Sequence, residues 1–371
     1  MQRLNNLIDD SDSDEEIIPR RPRWIKERKY LFEYYDDHDF VIRFRLSKEA
    51  TLFLLSKIER NLEYISDRNF SIAPINQLLG TLRFYATNST QMTIGDTCGW
   101  STPTTNKIIH RVSAAIAALH SEYIKFPSTQ LEIRKEQDNF YHIARFPRVI
   151  GAMDCTHIKL SFVLLRSQVG GEQAELYRNR KGYFSINVQT ICNSNLEITD
   201  IVARWPGSCH DSTIFNNSII KVKFEDGCYG DALLVVDGGY ASTSYMMPPL
   251  ESPRTQAEQL YNESQIRTRN PIERSYGVWK RRFPVLALGM RVKLEKALTI
   301  IVATAVLHNI LRRREETLPP DDPELHLPAP WEQILNDGQI PQSQSTESER
   351  IPGRLHRTRD VLIANYYQSL L

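Results

Sequence analysis

The chain is poor in cysteine. Its 371 residues hold five, Cys98, Cys155, Cys192, Cys209 and Cys228, and no CxxC pair. An odd, scattered set excludes a disulfide framework and a cysteine-built zinc site, and fits reduced thiols. Long apolar runs are missing too. The most apolar stretch, residues 297–311, is broken by threonines and His308 and is too short to cross a bilayer. The opening residues, MQRLNNLIDDSDSDEE, turn acidic where a secretory signal needs an apolar core. No membrane association is expected, and no internal repeat is visible. The length is that of two domains, or of one with extensions, and it suffices to bury a sizeable core. With 41% hydrophobic and 25% charged residues, the composition excludes a chain disordered throughout and a collagen-like repeat.

Net charge is the last scarcity: 46 basic residues nearly cancel 45 acidic ones, leaving +1. The cancellation is uneven along the chain. Residues 9–16, DDSDSDEE, carry six acids and no base, so the remainder is about +7. Directly after them come Arg20, Arg21, Arg23, Lys26, Arg28 and Lys29. This cluster has the composition of a nuclear import signal, a phosphate-binding arm or a solvated linker.

Residues 40–126 read as helical. Ser47 can cap a helix whose inward face is Leu52, Leu54, Leu55 and Ile58. Residues 71–86 form a second, with Pro74 in its first turn and Ile75, Leu78, Leu79, Leu82 and Tyr85 at helical spacing. A short helix over 91–98 ends at Gly99, and Ser101 caps the next, with Pro103 in its first turn. Helix, short helix, glycine, capped helix is the order of a helix-turn-helix. Thr104, Thr105, Asn106 and Lys107, with His110 and Arg111 a turn later, could bond bases and phosphates; equally, they could be the polar face of a packing module.

From residue 148 the pattern changes. Residues 149–160, 183–192 and 196–203 read as strands, with a tight turn at Asn193-Ser194-Asn195. Residues 233–236 form a short apolar run suited to a central strand. Helical pattern resumes at Pro271 and again over 294–311. The combination is a mixed α/β domain after a helical module. From Pro319 the chain is rich in proline and glutamine and expected to be loose, with a short docking helix over 359–371.

Several acids stand at places suited to chemistry. Alternation puts Asp154 on the strand face of Ile150, Ala152, Ile158 and Leu160, where an unpaired charge costs several kcal/mol. Asp237 follows the apolar run LLVV at the carboxyl end of a strand, where open α/β sheets place their sites, and Gly238 and Gly239 permit close approach. Glu273 follows Asn270 and Pro271, so it could complete a capping box, or lie at the edge of a buried face of Ile272, Tyr276, Trp279 and Phe283. Three carboxylates can hold two Mg2+ or Mn2+ ions roughly 4 Å apart for in-line phosphodiester displacement. Asp211 is a helix N-cap, a fourth metal ligand or a supporting group, and its neighbour His210 could pair with phosphate.

The blocks GAMDCTHIKL, WPGSCHDSTIFNNS, VVDGGYASTSYMMPPL and NPIERSYGVWKRRFPVL, followed by VATAVLHNILRRR, resemble the transposases of the PIF/Harbinger superfamily. The resemblance runs over residues 45–315 and is most specific over 148–312. It implies an RNase H-like fold with an Asp-Asp-Glu triad, which falls on Asp154, Asp237 and Glu273, the last two separated by 35 residues. Asp211 matches a further shared position, as do Tyr240 and Pro248. The implied organisation is a tail over 1–30, a helix-turn-helix-like DNA-binding module over 31–145, a nuclease domain over 146–315 and a loose end over 316–371. The implied activity is metal-dependent cleavage of double-stranded DNA, with strand transfer as a further step. A Myb-like partner that assists nuclear import, and a dimer or larger assembly on DNA, are implied as well. Nuclear localisation is expected, with cytoplasmic retention in the partner's absence. A strip over 261–300 (Arg267, Arg269, Arg274, Lys280, Arg281, Arg282, Arg291, Lys293, Lys296) carries a local +6 and is expected to meet phosphates, with Arg274, Lys280, Arg281 and Arg282 as principal contacts. The alternatives are a non-catalytic DNA-binding adaptor that keeps the fold, and a nuclease for RNA or RNA–DNA hybrids.

Overall fold

The structure, a computed structural model, describes residues 30–64, 71–317 and 357–371. The acidic block, the basic cluster and the proline- and glutamine-rich segment lie outside the described residues.

The first part is helical: α1 (Leu31–Tyr34), α2 (Asp37–Phe44), α3 (Lys48–Leu62), α4 (Pro74–Thr87), α5 (Gln91–Cys98), α6 (Thr102–Ala117), α7 (His120–Tyr123) and α8 (Gln130–Ala144). Local chemistry sets most of the boundaries. Ser47 Oγ accepts from Ala50 N at 3.0 Å to open α3, and Ser101 Oγ accepts from Thr104 N at 3.4 Å to open α6. Gly99 closes α5 at φ 73°, where a side chain would be strained. Leu54 and Ile58 are buried as expected, but Leu52 is 49% exposed, because the inward face of α3 is Ala50, Thr51, Leu54, Ile58 and Leu62.

The second part is built on β1 (Val149–Lys159), β2 (Ser185–Cys192), β3 (Ile198–Pro206), β4 (Leu233–Val235) and β5 (Met246–Met247). They form a five-stranded mixed sheet in the order β3-β2-β1-β4-β5. The β1–β2 and β2–β3 pairs are antiparallel; β1–β4 and β4–β5 are parallel. The pairing of β1 with β4 slips between Val149 and Gly151. That slip corrects one expectation. Ile150 packs with Met153, Ile191 and Leu234 on one face, while Ala152 and Ile158 lie on the other, which Asp154 shares by alternation.

Between β1 and β2 lie α9 (Phe162–Val169) and α10 (Gly171–Glu175); α11 (Asp211–Asn216) and α12 (Ile219–Glu225) follow β3. The longest helix, α13 (Gln256–Arg282), overturns the expected start at Pro271. Its cap is Thr255, which forms a reciprocal capping box with Glu258, and Pro271 sits inside the helix. Asn270 therefore caps nothing, and Glu273 is released from a capping role. A single 3-10 turn, Pro284–Leu286, leads towards α14 (Leu294–Arg313), and α15 (Arg357–Val361) begins the helical chain end.

α14 is 20 residues long and apolar, and it is a core helix: Ile300, Ile301, Ala305, Val306 and Ile310 are all buried. It packs on α6 and β3. One continuous hydrophobic cluster runs from Leu31 through the sheet to Tyr367, so the helical part and the α/β part share a core.

Candidate active site

Three elements converge on Asp154. β1 carries it on the face covered by α13, where Ile272, Tyr276, Trp279 and Phe283 are buried as their spacing predicts. The apolar stripe fixes the rotation of α13, and a second row of side chains then reaches the strands. Gln265 Nε2 donates to Val236 O at 2.8 Å and to Met247 O at 3.0 Å, tying the helix to the strand end from which Asp237 emerges. One turn on, Arg269 reaches Asp154 at 3.4 Å and Glu273 at 2.6 Å. Tyr276 Oη donates to Asp154 O at 2.7 Å and accepts from Thr190 Oγ1 at 2.9 Å. Lys280 Nζ donates to Thr156 Oγ1 at 2.6 Å and to His157 O at 3.1 Å. Gln265, Arg269, Tyr276 and Lys280 thus fasten α13 to the site at intervals of one or two turns.

Electrostatics gathers the acids into one group. Burial first, and then the nearby negative charges of Asp237 and Asp211, raise the Asp154 carboxyl to about 7, against the pull of Arg269 and the Cys155 N–H bond. Arg269 is held above its usual value by Asp154, Glu273 and Asp237, which outweigh its own burial. Asp211 opens α11 with His210 as its N-cap, accepts from Asn187 Nδ2 at 2.8 Å, and lies close enough to affect Cys155 and His157. Tyr240 Oη lies 3.3 Å from Cys155 Sγ, and burial drives both groups up. Three carboxylates, Asp154, Glu273 and Asp237, therefore act on a single guanidinium, and Asp211 acts on Asp154.

Their chemistry fits a hard divalent cation: all oxygen, net negative, and incompletely neutralised. Their present arrangement does not form a coordination set. No three His, Cys, Asp or Glu side chains are grouped for metal among the described residues, and Arg269 spans Asp154 and Glu273. The charge couplings and the grouping disagree because Coulombic influence reaches farther than a metal–oxygen bond.

The expected DNA contacts fare differently. Thr105 is fully buried, with Oγ1 donating to Ser101 O at 3.1 Å, so it is not a base reader. Asn106 Nδ2 donates to Gln91 Oε1 at 2.9 Å, and its Oδ1 accepts from Lys296 Nζ at 3.2 Å. Arg111 lies over the Tyr64 ring and donates to Asn61 O and Glu63 O. Thr104 is half-buried and Lys107 exposed. On α13, Arg282 is 2% exposed and donates to the carbonyls of Arg45, Glu316 and Thr317; it is a packing residue, not a phosphate contact. Lys280 and Arg269 are likewise turned into the protein. Arg274 is exposed and Arg281 half-buried. His210 is exposed, with Nδ1 2.6 Å from Arg180.

Sequence reasoning missed Arg269 as part of the site, counting it among surface cations. A signal was present: Arg269 precedes Glu273 by one helical turn, the i,i+4 spacing at which opposite charges pair.

Residues 153–309 match the family described as DDE superfamily endonuclease. The chain is similar to "Putative nuclease HARBI1" of Homo sapiens, 29% identical over 285 residues that cover 76% of this chain and 80% of the relative. The Xenopus laevis protein of the same name is 25% identical over 288 residues, with the same coverage. "Protein ALP1-like" of Arabidopsis thaliana is 22% identical over 311 residues, covering 78% of this chain and 74% of the relative. No solved structure matches the chain. The likeness to the DDE superfamily endonuclease model spans residues 153–309, and the similarity to the relatives named as nucleases extends over most of the chain.

Proposed function

We propose that this protein is a divalent-metal-dependent endonuclease that cuts double-stranded DNA, with Asp154, Asp237 and Glu273 as its catalytic carboxylates. The observation that carries the reading is the linkage of Asp154 and Glu273 through Arg269, which stands 115 residues from Asp154 in the chain, beside the strand end that bears Asp237. The strand order, three antiparallel strands followed by two parallel ones, supports an RNase H-like assignment. The relatives named as nucleases support the reaction class.

Asp154, Asp237 and Glu273, with Asp211 as a further donor, would hold Mg2+ or Mn2+, which supplies an activated oxygen nucleophile and stabilises the leaving oxygen. The chain's own residues do the positioning. Tyr276 and Lys280 fix the backbone of β1 around Asp154, Gln265 fixes the exit of β4, and Asn187 orients Asp211. Arg269 must release Glu273 for the carboxylates to share a cation. Strand transfer, a Myb-like partner, nuclear localisation and assembly of two or more copies on DNA complete the proposal. The helical module over 31–145 serves as its DNA-reading part.

Supercoiled plasmid incubated with purified protein and Mg2+ or Mn2+ should be nicked. Asp154→Asn, Asp237→Asn and Glu273→Gln should each abolish nicking while keeping the fold. Wild-type cutting by all three folded variants would overturn the triad. The Arg269 bridge also suits an adaptor that keeps the fold without cleaving. Absence of cleavage when the Myb-like partner and terminal DNA are both supplied would favour that reading.

A further inference from the structure

With Lys280, Arg282 and Arg269 turned inward, the expected phosphate strip on α13 loses three of its cations to the interior. Two exposed cations stand elsewhere beside the acids, on the connection that leads into β2. The segment from Arg178 to Phe184 is a hairpin tip closed by an antiparallel bridge between those two residues. Asn179, 5% exposed, organises it: its Oδ1 accepts from Lys181 N at 3.0 Å and Tyr183 N at 3.3 Å, and its Nδ2 donates to Ser185 Oγ at 3.1 Å. Gly182 N returns to Asn179 O at 2.9 Å, and Gly182 takes φ +81°, which a side chain would strain. Arg178 is spent within the tip, held by both oxygens of Glu175 and by Gly182 O. Arg180 and Lys181, at the centre of the turn, are exposed and have no carboxylate partner among the described residues.

The tip stands next to the candidate active site. Ser185 Oγ lies 3.1 Å from His157 Nδ1, three residues along β1 from Asp154. Arg180 meets His210, the residue before Asp211, at 2.6 Å. Burial is the main cause that lowers the His157 imidazole and the Lys280 ammonium; Lys181 adds to both shifts and Arg180 to that of His157, so both cations act across this wall. A turn whose backbone is already fixed by buried hydrogen bonds spares the backbone ordering that an anion would otherwise have to impose. The acids nearby would repel a strand carrying phosphates unless cations lay along its path.

We propose that the Arg180–Lys181 turn is a phosphate-binding site for the backbone of duplex DNA beside the scissile bond. The site rests on the endonuclease reading and adds where the strand is gripped. Its contacts are to phosphate and carry no base information.

Fluorescence anisotropy of the full-length protein with a labelled random-sequence duplex in EDTA, across a salt series, tests it without cleavage. Arg180→Gln/Lys181→Gln should weaken binding about tenfold for every sequence and reduce the slope of log affinity against log salt by about 2, because two phosphates would no longer be neutralised. Lys181→Gln alone, which leaves Arg180 beside His210, should lower the slope by about 1. The charge-matched Lys221→Gln/Lys223→Gln variant on α12, whose Ile220 and Phe224 pack on the sheet face opposite Asp154, should leave the slope unchanged. Unaltered affinity and slope in the turn variants, or an equal loss in the α12 variant, would overturn the site while leaving the endonuclease reading intact. A wild-type protein that fails to bind duplex DNA would overturn both.

Discussion

Arg269 shows how one side chain can be read two ways. In the sequence it is one cation among nine; in the folded protein its side chain is 6% exposed and holds two carboxylates together. Removing one member of such a buried group leaves charges uncompensated, at a cost of roughly 3–5 kcal/mol. Arg269→Gln should therefore lower the melting temperature markedly without metal, and Arg269→Lys should restore part of the loss. An unchanged denaturation midpoint for Arg269→Gln would show that the carboxylates do not depend on it. His308 gives a pH-dependent counterpart. It is 1% exposed, and its Nε2 lies 2.7 Å from Leu196 O in the β2–β3 turn, where Leu196 takes φ +67°. Burial lowers its imidazole to about 4. Because the folded value lies below the unfolded one of about 6.5, the contribution is complete above pH 6.5 and fades as pH falls towards 4. Chemical denaturation from pH 7 to 4 should show this loss, and His308→Gln should lessen that slope. His308 reads in the sequence as an interruption of an apolar run; its role depends on a turn 112 residues away.

Elements bounded by local chemistry are legible in the sequence, and α5, α6 and α14 fall where capping residues and apolar spacing put them. α13 does not, because Asn270-Pro271 imitates a helix start while Thr255 and Glu258 supply the real one 15 residues earlier. A proline in the first turn and a proline tolerated in mid-helix look alike until packing is known. The junction of α4 with the α5–α6 turn makes a sharper test. A methyl group added at Gly80 would stand 2.6 Å from two carbons of the Trp100 ring. Gly80→Ala would gain about 1 kcal/mol of helix propensity, yet overpacking a buried ring costs about 1–3 kcal/mol. The substitution is expected to be destabilising in urea denaturation, and a stabilised variant would show that Trp100 can yield.

The whole molecule is nearly neutral only because an acidic block of six charges offsets a basic remainder. Long-range attraction to DNA follows from the sum of these fields and is screened within about 8 Å at physiological salt. Deletion of residues 9–16 should raise affinity for duplex DNA several-fold at low salt, with the difference closing as salt rises. Equal affinities with and without the block at low salt would show that it does not shield the body. What the sequence determined by itself was local or cumulative: caps, apolar stripes, the mixed α/β character, and the carboxylates at strand ends and in the blocks they share with a family. These depend on neighbours a few residues away and on residue type. The tertiary structure decided which charges meet. It turned Arg269 and Lys280 inward, pushed Thr105 and Arg282 into the core, released Glu273 from a capping role, and left Arg180 and Lys181 exposed beside the acids. The Arg269–Glu273 pair has a local spacing, but the contacts of Arg269 with Asp154 and of Lys280 with Thr156 join segments more than a hundred residues apart, and no local pattern in the chain encodes those.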